Sequence, residues 1–176
     1  MQSQFIPYLK RLYIAAIPLL FFVIYLVFLN NNSSLDAYGY ASYVKQGENL
    51  FLSHHLLYNA IGFLWVKFIE LFGSFDTLLT LKAMNAALAS ASLLVLGIIL
   101  KQHGFGLKKV CAWLCFVGSS WGVMRFATEN ETYIAPILFS LLASLYLLKH
   151  LKNKKEHQIL LSGKYYLAGI LKTLLD

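Results

Sequence analysis

The sequence predicts an all-α protein: a polytopic bundle of transmembrane helices with a long extracytoplasmic first loop that carries juxtamembrane helices. Three observations predict it. The 176 residues are 59% hydrophobic and only 13% charged, whereas about a quarter of a soluble domain is charged. The mean hydropathy is +0.62. The charges fall between four long uncharged runs, Leu12–Leu29, Ala83–Leu100, Val110–Met124 and Thr132–Leu148. A helix crosses the hydrocarbon with roughly 17 to 25 apolar residues, which places spans near 12–29, 81–100, 107–124 and 132–148.

The first run follows Lys10 and Arg11, as a secretion signal would. It is longer than a usual signal core, and no small-x-small cleavage site appears in "FLNNNSSLD", so it reads as a retained anchor. A loop of about fifty residues follows, long enough to be functional or disordered. Its aromatic and aliphatic content argues for order. Apolar residues recur at helical spacing in "LDAYGYASYVKQG", giving a short helix near Ala37–Gln46 with Asp36 at its N-cap position. A second short helix covers Leu56–Phe72. The second span contains "AMNAALASAS", small residues suited to close helix packing. The third is short, and Leu107 with the apolar stems of Lys108, Lys109 and Arg125 extends it. Cys111 and Cys115 share one face of that span; they read as packing residues rather than as a disulfide or zinc framework. After the fourth span a basic loop leads to a partial fifth apolar segment from Tyr165, interrupted by Lys172. Residues 1–176 are expected to be one membrane domain, the N-terminal part of a longer fold.

Sidedness turns on Leu56–Gly73, which is apolar but holds Lys67 and Glu70. Loops rich in Lys and Arg stay cytoplasmic. If this segment does not cross, Lys10, Arg11, Lys101, Lys108, Lys109, Lys149, Lys152, Lys154, Lys155 and Lys164 lie inside. Only Lys45, Lys67, Lys82 and Arg125 then lie outside, with six of the eight acids. If it crosses, both basic loops face outward. Leu56–Phe72 is therefore expected to lie in the interface, its apolar face on lipid, in a multi-pass protein of the cytoplasmic (inner) membrane.

That topology gathers Asp36, His54, His55, Arg125, Glu129 and Glu131 on the outer face. Each has a plain alternative. Asp36 could simply cap a helix, the histidines could be an interfacial pair titrating near neutrality, and "ATENETY" could be a solvated turn. Converging carboxylates and imidazoles could instead hold a divalent cation, Mg²⁺ or Mn²⁺ on the carboxylates or Zn²⁺ with imidazole. Asp36, Glu131 and Glu129 are the candidate metal ligands. A cation there, with Lys82 and Arg125, suits an anionic lipid phosphate.

The order of parts resembles the membrane-embedded GT-C glycosyltransferases. The likeness is to the protein O-mannosyltransferase-like group (glycosyltransferase family 39-like) that includes the aminoarabinose transferases. It rests on an anchor helix, an outer loop opening on an acid ("LDAYGYASYVKQGENLFL"), a juxtamembrane segment ending in aromatic–Gly ("HHLLYNAIGFLWVKFIELFG") and "LLTLKAMNAALASASLLVLGIIL". Asp36 matches the loop acid, His54–His55 the second loop motif, Phe72–Gly73 with Lys82 the Gly…Arg stretch, and Glu131 the acid opening the fourth span. Ala37, Leu56–Leu57 and Lys82 depart from the Glu, prolines and Arg usual at those places. The resemblance implies transfer of a sugar from a polyprenyl-phosphate donor to a glycan, lipid or protein acceptor on the extracytoplasmic side, with no nucleic-acid partner. It implies Asp36 as general base, Glu131 as its partner or a metal ligand, Lys82 and Arg125 toward the phosphate, and His54 or His55 orienting substrate. The alternative is a non-catalytic membrane protein, a transporter or scaffold subunit, or an inactive truncated GT-C fragment. The uncharged interiors of the runs argue against ion-coupled transport, which places ionisable groups near the midplane.

Overall fold

The structure is a computed structural model that describes residues 2–52 and 57–170, with side chains from Ile14 to Gly169. His54 and His55 lie outside the described residues. Among these the fold is all-α, with eight helices and no strands. They are α1 (Gln2–Val27), α2 (Leu35–Gln46), α3 (Tyr58–Glu70), α4 (Thr77–Gln102), α5 (Leu107–Gly118), α6 (Trp121–Ala127), α7 (Ile134–Asn153) and α8 (Glu156–Ile170). By length and composition α4 and α7 can each cross a membrane, and α5 with α6 makes a third span if the bent pair is one.

The short helices α2 and α3 end where backbone chemistry ends them. Ser34 caps α2 by accepting the Ala37 amide on its hydroxyl, and Asp36 stands in the first turn instead of capping it. An acid there faces the positive end of the helix dipole. Gly47 closes α2 in the left-handed conformation, φ 71°, which costs a glycine little. At 13 residues, α3 spans about 20 Å and cannot cross roughly 30 Å of hydrocarbon. It buries Tyr58, Asn59, Gly62 and Val66, while Leu64, Phe68, Leu71 and Phe72 stay exposed. Its indole Trp65 Nε1 donates to the Thr80 carbonyl at 3.0 Å, tying it to the start of α4. Asp76 caps α4 by accepting the Leu79 amide at 2.8 Å.

α4 is the central helix, packing on α1, α2, α3, α5, α6 and α7. One apolar core lies between α1, α4 and α5, around Phe21, Leu93, Val110 and Leu114. A second lies under α2 and α3, around Val44, Tyr58, Leu81 and Met84. The small residues read from "AMNAALASAS" serve this role: Ala86 and Ala89 are buried in the first core.

Two elements differ from the sequence expectation. The stretch 107–124 is not one straight helix, because α5 and α6 meet at 64°. At the break Gly118 receives the Phe21 ring, Tyr25 donates its hydroxyl to the Gly118 carbonyl at 2.9 Å, and the Ser120 hydroxyl donates to the Val117 carbonyl at 2.7 Å. Small residues and hydroxyls that take up backbone carbonyls are what a sharp kink requires. The basic loop after the fourth span is also much shorter than expected. α7 runs on to Asn153, and α8 begins at Glu156. Lysines are good helix formers and favour a helix C-terminus. Lys154, at φ 52°, makes the turn. α7 and α8 then form a hairpin closed by Ser162 donating to the Ala143 carbonyl at 2.9 Å and by Tyr146 stacked on Tyr165.

Candidate functional site

At the end of the bundle covered by α2 and α3, a polar cluster joins the chain after α1, the starts of α2, α3 and α4, and the α6–α7 connection. Lys82 and Asn85 are three residues apart on α4 and so share a face. Both are aimed at residues 129–131. That connection cannot be helical at its centre, since Thr128 ends α6 by donating its hydroxyl to the Met124 carbonyl at 2.8 Å. Pro136 sits in the first turn of α7, where its missing amide costs nothing.

Glu129 is fully buried. One carboxylate oxygen accepts the Asn130 amide at 2.8 Å and lies 3.5 Å from the Lys82 ammonium. The other accepts from the Asn30 carboxamide at 2.7 Å. Lys82, 5% exposed, also donates to the Asn30 carbonyl at 2.5 Å. A buried ion pair is tolerated when further hydrogen bonds satisfy its remaining atoms, and this one is so satisfied. Asn85 spends both carboxamide hydrogens on the carbonyls of Glu129 and Glu131, each at 2.7 Å. The Tyr58 hydroxyl donates to Asn130 Oδ1 at 2.5 Å, and Asn130 Nδ2 donates to the Ala37 carbonyl at 2.7 Å. Burial raises the Tyr58 phenol far above its ordinary value, so it stays a neutral donor.

Glu131 is different. It is half-buried, and its carboxylate accepts from the Ser34 hydroxyl at 3.4 Å. Its pKa is raised above the ordinary carboxylate value, mainly by burial. The Ser34 bond and the charge of Arg125 oppose the rise, while the charges of Glu129 and Asp36 add to it. The structure therefore brings Asp36 and Arg125 each within electrostatic reach of Glu131, with Asp36 exposed and Arg125 half-buried. Glu129 also reaches Glu131 electrostatically, but its two oxygens are taken by Asn130, Asn30 and Lys82.

A hard cation takes oxygen donors. The carboxylates open to one are Asp36 and Glu131, since both oxygens of Glu129 are engaged. Among the described residues no three His, Cys, Asp or Glu side chains come together. The site also rests on Asn30, Ser34, Tyr58, Asn85 and Asn130, none of which was singled out from sequence. Asn85 carried a legible signal: a carboxamide in an otherwise apolar span needs partners.

No protein-family profile, no curated protein and no solved structure matches the chain.

Proposed function

We propose that the chain belongs to a membrane-embedded glycosyltransferase working at the extracytoplasmic face, with Asp36 and Glu131 as its acid–base pair. The observation that carries this reading is the half-buried Glu131 carboxyl, raised in pKa, beside exposed Asp36 and the cation of Arg125. A carboxylate of raised pKa is a stronger base than an ordinary one, and a base within hydrogen-bond reach contributes ~10²–10⁴-fold.

In the proposed reaction the acceptor hydroxyl gives its proton to a carboxylate of the pair, and its oxygen bonds to the anomeric carbon. The bond from that carbon to the donor phosphate breaks, and the polyprenyl phosphate leaves with the electron pair. Arg125 offsets the charge that develops on the phosphate. Lys82, its ammonium engaged by Glu129 and Asn30, supports the connection from below. A divalent cation, where bound, would be held by Asp36 and Glu131 and would supply charge neutralisation.

The saturated Lys82–Glu129 pair favours a second reading, a non-catalytic subunit whose polar cluster only fixes helix packing. Membranes carrying the full-length gene product separate the two when supplied with labelled polyprenyl-phosphate sugars. The enzyme reading expects transfer that falls by about 10²-fold or more in Asp36→Asn and Glu131→Gln and is unchanged in Glu48→Gln. No transfer by the unaltered protein, or transfer indifferent to both acids, supports the packing role.

A further inference from the structure

The opposite end of the bundle holds a second feature that neither core nor acidic site uses. Lys101 at the end of α4 and Lys108 and Lys109 at the start of α5 flank one turn, and Lys149 and Lys152 late in α7 with Lys154 and Lys155 after it surround the other. Residues 110–148 separate the two groups in sequence, and the fold merges them. α7 packs on α4, and the Lys152 ammonium donates to the Gln102 carbonyl at the end of α4. Around these two turns the acid among the described residues is Glu156, and among the described residues none of these lysines pairs with a carboxylate. Lys108, Lys109, Lys154 and Lys155 are exposed. The turn His103–Lys109 lines an open cavity of 680 Å³.

Depth selects the partner. At 26 residues, α4 is about 39 Å long, beyond the roughly 30 Å of hydrocarbon. Its last turn, with Lys101, therefore falls at head-group level, and so does everything joined to it there. We propose that this merged lysine cluster is a binding surface for the phosphates of anionic phospholipids, with the His103–Lys109 cavity receiving a head group. Charge complementarity and continuity with the spanning helices both point to lipid as the occupant. Each lysine near an anionic surface is worth about a fivefold change in partitioning, so four exposed lysines acting together enrich anionic lipid well over tenfold.

The test reconstitutes the full chain in vesicles of equal phosphatidylglycerol and phosphatidylcholine, extracts it in mild detergent and weighs the retained lipids by native mass spectrometry. Phosphatidylglycerol is expected to exceed phosphatidylcholine by about tenfold or more. The Lys108→Gln, Lys109→Gln, Lys154→Gln, Lys155→Gln chain should approach parity at unchanged helicity, and the same four changed to Arg should keep the enrichment. Parity in the unaltered protein overturns the proposal. So does enrichment that survives the Gln changes, or a rise in melting temperature on adding inorganic phosphate alone, which would mark a soluble-anion site.

Discussion

The ammonium of Lys82 stands 3.5 Å from a carboxylate oxygen of Glu129, and neither side chain is more than 6% exposed. Removing one partner leaves the other charge buried alone, at a cost of about 3–5 kcal/mol. Replacing both with apolar residues of similar size costs far less. Lys82→Met should therefore be strongly destabilised in detergent unfolding, while Lys82→Met with Glu129→Leu recovers most of the loss. Equal damage in single and double variants would mean the charges do not depend on each other.

Asn85 holds the same connection through its backbone. Its two donated bonds satisfy the carbonyls of Glu129 and Glu131, and losing them leaves two carbonyls without these donors. Asn85→Ala is expected to lose about 2–4 kcal/mol. Asn85→Asp should lose more, because an ionised carboxylate would face two carbonyl oxygens. An Asp variant as stable as the native chain would refute the donor role.

Glu131 gives the fold a pH dependence of definite sign. Its folded-state pKa is raised, so the folded chain holds this proton more tightly than the unfolded chain does. That contribution is complete below the ordinary carboxylate pKa and is lost as pH rises through the raised value. Glu131→Gln should thus melt higher than the native chain at neutral pH, and the gap should close in acid. With the carboxyl partly open to solvent, the gap stays within about 1 kcal/mol. A gap that widens in acid has the wrong sign.

The α5–α6 break depends on Gly118. A Cβ there would lie 2.8 Å from ring atoms of Phe21. Overpacking of this kind costs about 1–3 kcal/mol, so Gly118→Ala should lower the unfolding midpoint, and adding Phe21→Leu should restore part of it. No loss in the single variant would show that the ring moves aside freely.

Much of this architecture is legible in the chain because hydropathy acts over whole helices. The uncharged run 83–100 lies within α4, and all but the first two residues of 132–148 lie within α7, for that reason. The kink at Gly118 was legible too, in the Gly-Ser-Ser of "VGSSWG", but a count of apolar residues passes over it. The extension of α7 to Asn153 was hidden because lysines break an apolar run without breaking a helix. Within the site, sequence set Asp36, Arg125 and Glu131 on one end together. It could not separate Glu129 from Glu131, two residues apart in "ENET". Only the fold sends one inward to Lys82 and leaves the other beside Ser34. Asn30 and Asn130 are equally silent in sequence, because a buried amide and a surface amide look alike until their partners are placed.

The proposed chemistry requires Asp36 and Glu131 to share one membrane face. Single cysteines at these two positions, in a chain with Cys111→Ala and Cys115→Ala, can be challenged on intact cells with a membrane-impermeant thiol reagent. Both should label from outside without permeabilisation. If Glu131→Cys labels only after the membrane is broken while Asp36→Cys labels before, the two acids cannot form one site and the proposed chemistry fails.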